Sequence, residues 1–256
     1  ESKSSLENAL QKSVHSQMIS DVKLGCQLSG GVDSSLVSYY AAKALNQGNL
    51  ETISIVFKDP KFSEEKYIDI VAEQLSLHAH KFEMEANYYF EVLEKAIWHF
   101  EQPMNHPNTI GIYLLSQEAK KHVTVLLSGE GADESLAGYS RFVRATQFPF
   151  FRKTFLSALK KNLKNISEFL SYYLDSNKRM IMESAFGSLE TAHALKADFS
   201  LQNAIQDRCD TIKSMKGDTI LKQRKFELLT YLPDLLMRQD KMSMAHSIEN
   251  RVPFLD

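Results

Sequence analysis

Two short segments carry residue types suited to phosphate chemistry: SGGVDSS (29–35) and SGEGADE (128–134). Glycines let backbone N–H groups approach phosphate oxygens, and a helix that starts just after them adds a positive dipole end. Carboxylates beside phosphates repel them unless a divalent cation lies between. Mg²⁺ suits that arrangement, because it takes a couple of carboxylates together with phosphate oxygens and water. Asp33 and Asp133 are the carboxylates offered for it. The Walker pattern Gly-Lys-Ser/Thr does not occur, and Glu134 stands where a dinucleotide loop wants its third glycine. An ordinary P-loop nucleotidase and a nicotinamide enzyme therefore do not fit.

Each loop follows an apolar run. Residues 22–29 read as a short buried strand and the fully apolar VTVLLS (123–128) as another. Between them, 51–59 and 80–84 read as strands. Helical periodicity marks 4–20, 33–47, 63–77, 88–100 and 108–121. Ser63 is the expected N-cap of its helix. Alternating strands and helices predict an α/β fold, a doubly wound, mostly parallel sheet. Ligands of such sheets bind at the carboxyl ends of the strands, where strand order reverses. If the strands before the two loops are neighbours, Asp33 and Asp133 face one crevice. After FPFF (148–151) only helical spacing remains, as in Phe155, Leu159, Leu163, Ile166 and Leu170, with Lys160, Lys161 and Lys164 on a solvated face. The expected division is thus 1–148, the α/β part, and 149–256, an all-helical C-terminal extension.

The bulk numbers set limits. The 256 residues are 43% hydrophobic and 24% charged, ordinary for a soluble globular protein. A net charge of −2 does not suggest a nucleic-acid binder. No apolar run approaches the roughly 20 residues that span a bilayer, so no membrane partner is expected. Two cysteines, Cys26 and Cys209, make no disulfide framework, and a cytoplasmic location is expected. The chain does not begin with Met and stops on an apolar tetrapeptide, so a fragment of a longer protein is expected.

SGGVDSS between a strand and a helix is similar to the loop of the PP-loop ATP pyrophosphatases. Three segments, 18–38, 123–142 and 231–256, closely resemble the synthetase domain of the glutamine-hydrolysing asparagine synthetases. The resemblance runs over essentially the whole chain. It implies an adenine nucleotide α-hydrolase-like sheet, ATP and Mg²⁺ as cofactors, and an amide-forming ligase. A carboxylate, aspartate first among candidates, is adenylated with release of pyrophosphate, and ammonia then displaces AMP. Carried onto this chain, Ser29, Gly30, Gly31, Asp33, Ser34 and Ser35 bind pyrophosphate. Asp33 and Asp133 bind the metal, and Leu28, Val56, Ser128 and Gly129 line the adenosine pocket. Glu130 takes a proton from the attacking ammonia. Lys241 meets the phosphates and the developing charge. A homodimer is left open.

The match has gaps. The family's glutaminase domain, with its N-terminal cysteine, is not in this chain, so ammonia is expected from a domain outside it. SLAGY (135–139) stands where the family commonly has Phe-Gly-Gly-Tyr, and residues 102–116 lack an arginine that reads aspartate in some members. Another acceptor, a sugar acid, a β-lactam precursor or a peptide, therefore stays as the alternative, and a degenerate nucleotide-binding module as a weaker one. Several residues also have plainer readings. Packing explains Leu28 and Val56 as well as function does. Glu134 divides evenly between capping and metal binding. Arg238, Asp240, Glu249 and Arg251 read as an internal ion-pair network. His78 and His80 form an H-x-H without a third ligand nearby, and Cys26 reads as a packed small hydrophobe.

Overall fold

A computed structural model describes residues 3–45, 50–104, 106–146, 170, 174–183 and 201–256. Its centre is a five-stranded, all-parallel sheet: β1 (Leu24–Gln27), β2 (Glu51–Val56), β3 (His78–Glu83), β4 (Val125–Leu127) and β5 (Glu249–Arg251). The order is β3-β2-β1-β4-β5. Chain order runs outward one way from β1 and the other way from β4, so the reversal lies between those two strands.

Alternation along the strands serves both faces. Val125 and Leu127 of β4 join Cys26 of β1 in a cluster with Leu10 and Val14 of α1 (Lys3–Gln17) and Val37, Tyr40 and Ala41 of α2 (Val32–Ala44). Leu126, pointing the other way, shares a cluster with Ile53, Val123, Ile248 and with Leu115 and Ala119 of α5 (Asn108–Ala119). Helices therefore cover both faces, and the sheet is doubly wound. Burial pushes the Cys26 thiol up to about 12, as befits a packed hydrophobe rather than a reactive group. Of the apolar stripe in α1, Val14 is fully buried, whereas Leu6 is half-exposed.

Two more helices stand over the crossovers, α3 (Glu65–Leu75) and α4 (Ala86–Phe100). Ser63 does not occupy the N-cap of α3; Glu64 does, without a side-chain cap bond. The Ser63 hydroxyl instead accepts from the Glu65 and Phe57 N–H groups, both at 3.4 Å. After β4 come α6 (Ala132–Leu136), α7 (Ser140–Thr146), α8 (Ser176–Glu183), α9 (Leu201–Ser214), α10 (Thr219–Thr230) and α11 (Leu232–Met244). The stripe from Phe155 to Ile166 and the three lysines beside it lie outside the described residues.

Two compact units emerge. One holds residues 1–132 and 234–256, the other 133–233. The C-terminal stretch returns to the sheet because β5 pairs with β4. Beyond β5, the Ser13 hydroxyl donates to the Pro253 carbonyl at 2.6 Å, tying α1 to the chain end.

Candidate active site

The first loop joins β1 to α2 and is braced by its own hydroxyls. The Ser29 N–H donates to Ser34 Oγ at 3.1 Å, and the two serine oxygens lie 2.9 Å apart. Ser34 Oγ and Ser35 Oγ both donate to the Gly31 carbonyl, at 3.2 and 2.7 Å. Gly30 has φ +83, and a Cβ there would stand 3.0 Å from Tyr67 Cβ and 3.2 Å from the Glu64 carbonyl. Only glycine fits, on grounds of both conformation and space. Gly31 is extended at the N-cap of α2 and offers no capping side chain. Asp33 sits in the first turn.

The second loop leaves β4, which pairs directly with β1. A Cβ on Gly129 would stand 2.8 Å from the Ser34 backbone nitrogen and 3.0 Å from Asp33 Cβ. The two glycine loops are thus in van der Waals contact beside the point where strand order reverses. The Ser128 N–H donates to the Arg251 carbonyl at 2.9 Å. The Ser128 hydroxyl is buried and has no hydrogen-bond partner among the described residues, a group left for water or a ligand. Glu130 follows, half-buried.

Leu28 and Val56 are buried in one cluster with Ile68 of α3. Each such side chain contributes about 1.5–3 kcal/mol by burial, so packing accounts for their type.

The second compact unit opens with Asp133 and Glu134 in α6. Burial pushes the Asp133 carboxyl above the ordinary aspartate range, against the pull of Arg141. Gly138 leaves room for that carboxylate: a Cβ there would fall 2.0 Å from Asp133 Oδ1. Ala137, at the family's first glycine position, is forced to φ +57, a conformation that glycine adopts more cheaply. Glu134 is 1% exposed and accepts a 2.6 Å bond from the Tyr139 hydroxyl. Burial raises its pKa more than that bond lowers it. Arg141 lies 3.7 Å from the Tyr139 ring centroid. Its Nε and Nη2 donate to the fully buried Glu227, at 2.9 and 2.6 Å. Sequence reasoning missed this network, since Arg141 and Glu227 are 86 positions apart.

Lys241 is on α11, where its ammonium donates to Glu101 Oε2 at 2.7 Å and to the Phe100 carbonyl at 3.1 Å. Glu101 ends α4 in a left-handed conformation, φ 59. Both residues line a groove of about 770 Å³, together with Trp98, His99, Asp240 and Met244. Arg251 ties the chain before β1: its Nη1 donates to the Gln17 and Ile19 carbonyls and its Nε to Glu249.

Asp33 offers a hard carboxylate oxygen of the kind Mg²⁺ takes, beside the contact of Gly129 with Ser34. No group of three or more His, Cys, Asp or Glu suited to a metal occurs among the described residues. His80 instead bonds Glu51 at 2.6 Å and stacks on His122.

Fold and loops define a doubly wound parallel α/β protein with two glycine loops in contact at its switch point. The asparagine synthase family model matches residues 5–256, and the chain belongs to that family. Asparagine synthetase [glutamine-hydrolyzing] 1 of Bacillus subtilis strain 168 is 30% identical, over 97% of this chain and 41% of the relative. Putative asparagine synthetase [glutamine-hydrolyzing] 2 of Methanocaldococcus jannaschii is 31% identical, over 92% and 48%. Amidase chyE of Penicillium rubens is 24% identical, over 96% and 43%. The chain thus spans less than half the length of these relatives.

Proposed function

We propose that this chain is the synthetase part of an asparagine synthetase-like ligase: it joins ammonia to a carboxylate at the expense of ATP. The observation that carries this reading is the contact of Gly129 with Asp33 and Ser34, which makes one acidic, glycine-lined cradle from two loops. In the proposed reaction the acceptor carboxylate attacks the α-phosphorus of ATP, and pyrophosphate leaves. Ammonia then attacks the acyl-adenylate carbon, and AMP leaves with the bonding electrons, giving the amide.

Each residue has a task in it. Ser29, Gly30, Gly31, Ser34 and Ser35 hold the β and γ phosphates through N–H and hydroxyl donors at the start of α2. Leu28, Val56, Ser128 and Gly129 flank the adenosine, and the unpartnered Ser128 hydroxyl is a donor ready for it. Asp33 and Asp133 hold Mg²⁺, which when bound neutralises phosphate charge. Glu130 accepts the proton that the attacking nitrogen sheds. Lys241 releases Glu101 and turns to the phosphates, a motion its four-carbon stem allows. Because the anionic groups repel one another, catalysis consists mainly of positioning and charge neutralisation. Ammonia comes from a glutaminase outside this chain, in keeping with the names of the relatives.

The acceptor is aspartate on this reading. The arginine-free segment 102–116 and the amidase relative favour testing other acids beside it. The experiment is pyrophosphate release by the full-length protein with ATP, Mg²⁺, ammonia and one carboxylic acid at a time. Release with aspartate is expected. Release only with a sugar acid or a peptide acid rejects the acceptor and keeps the ligase; no release with any acid rejects both.

A further inference from the structure

Glu130 stands between two glycines that are both pressed from outside. On one side Gly129 meets the first loop, where a Cβ would stand 2.8 Å from the Ser34 nitrogen. On the other side Gly131 meets Leu255. A Cβ on Gly131 would fall 2.6 Å from Leu255 Cγ, 2.6 Å from Cδ2 and 2.8 Å from Cδ1. The head of the leucine therefore fills the space where any other residue would carry its side chain. Gly131 is buried at φ +87, so the position needs glycine for conformation as well. Ala132 follows at 2% exposure, and its N–H donates to the Gly129 carbonyl at 3.4 Å, closing the turn around Glu130.

The leucine itself rests on a fixed base. It ends a 3₁₀ turn, Pro253–Leu255, whose first residue has its φ set by the proline ring. The Leu255 N–H donates to the Val252 carbonyl at 3.0 Å. Two serines of α1 hold the turn, Ser13 at the Pro253 carbonyl and Ser16 at the Asp256 carboxylate, 3.1 Å away. Phe254 packs against the cluster of Leu10, Val14 and Val37. The same C-terminal segment thus grips the β4 loop on both sides of its glutamate, through the Ser128–Arg251 backbone bond before it and Leu255 after it. An aliphatic side chain binds no metal and no phosphate and moves no proton; what it supplies is shape. Shape matters here, because a general base must lie within about 2.6–3.2 Å of the proton it takes.

We propose that Leu255 is a positioning residue for Glu130: pressed against Gly131, it fixes the backbone that aims this carboxylate at the attacking ammonia. This rests on the ligase reading above. In the step concerned, the ammonia nitrogen bonds to the acyl carbon. The bond from that carbon to the AMP oxygen breaks and AMP keeps the electron pair, while a proton passes from nitrogen to Glu130. Adenylation comes before this step and draws on the Gly129 side of the loop, so damage at Leu255 should separate the two half-reactions.

The full-length protein and its L255A, L255M, E130Q and L255A/E130Q variants are given ATP, Mg²⁺ and L-aspartate, or whichever acid supports release in the wild type. Exchange of pyrophosphate into ATP is measured without ammonia, and amide formation with ammonium chloride. L255A should keep exchange within about twofold and lower amide formation by about 10- to 100-fold, the scale of a 1 Å misplacement. L255M, close to leucine in volume, should regain most of that loss. In the E130Q background L255A should cost no more than about twofold, because residues that act as a unit do not add.

Unchanged amide formation in L255A overturns the assignment. So does an equal fall in exchange and amide formation, or a full additive loss on top of E130Q, since each makes Leu255 a packing element. If L255A does not fold, L255V, smaller by one methylene, is judged by the same outcomes. No wild-type exchange with any acid overturns the ligase reading itself, and this proposal with it.

Discussion

The loops after β1 and β4 look alike as sequences but are held in different ways. The β1 loop is braced within seven residues, by the hydroxyls of Ser29, Ser34 and Ser35 around the Gly31 carbonyl. The β4 loop leans on distant chain. Ser128 bonds the Arg251 backbone, and Leu255 lies so close to Gly131 that a Cβ there would come within 2.6 Å of it. In the second compact unit, Glu134 answers to Tyr139, which lies under an Arg141 committed to Glu227. A loop held by its neighbours tolerates change elsewhere; a loop held from afar carries remote mutations into its carboxylates.

Breaking the remote brace should cost the most. R141A leaves Glu227 buried and unpaired, and should destabilise its unit by about 3–5 kcal/mol, read as a lower urea midpoint. R141K, with a point charge in place of a fork, should lose less. Wedging the two loops apart comes next. G129A puts a methyl group 2.8 Å from the Ser34 nitrogen, and a displacement of about 1 Å is worth on the order of 10²-fold in rate. Pyrophosphate release should fall by that much while the urea midpoint moves little. A midpoint that collapses with the rate would mean the contact is structural.

A smaller, opposite effect is expected at Ala137. Its φ of +57 carries a left-handed strain of about 1–2 kcal/mol, of which A137G recovers part, against about 0.4–1 kcal/mol of extra unfolded-state entropy. The net gain, up to about 1 kcal/mol, is measurable by thermal unfolding; a loss would show that the turn is not strained.

The amino edge of the sheet supplies the control. Burial raises the Glu51 carboxyl, but the His80 bond and the charges of His80, His78 and Lys23 more than reverse this, so its folded pKa lies below the ordinary 4.5. A depressed carboxylate stabilises above its unfolded pKa and loses that contribution as pH falls through the folded one. The stability gap between wild type and E51Q should therefore be full above pH 4.5 and close below it, with pyrophosphate release unchanged at neutral pH. A gap that widens toward acid reverses the sign and refutes the pairing.

What the sequence revealed follows the same contrast. Strand, glycine turn and helix start are local events, so the first loop and the doubly wound sheet were legible, while the pairing of β1 with β4, a hundred residues apart, stood only as a condition that the structure meets. β5 was not, because Glu249, Asn250 and Arg251 show no apolar alternation and are held by backbone pairing with β4, more than a hundred residues earlier. The Lys241–Glu101 bond, across 140 positions, and the Arg141–Glu227 fork, across 86, leave no periodic trace. Ser63, a good cap by type, serves instead as an acceptor one residue ahead of the cap position.

The central claim is that the two loops form one site that cleaves ATP, with separate duties for their carboxylates. Exchange of labelled pyrophosphate into ATP, with acceptor present and ammonia absent, isolates the adenylation half. D33N should lower this exchange by on the order of 10²–10³-fold, whereas E130Q should keep exchange and lose amide formation. Unchanged exchange in D33N, or equal loss of exchange in both variants, would contradict it.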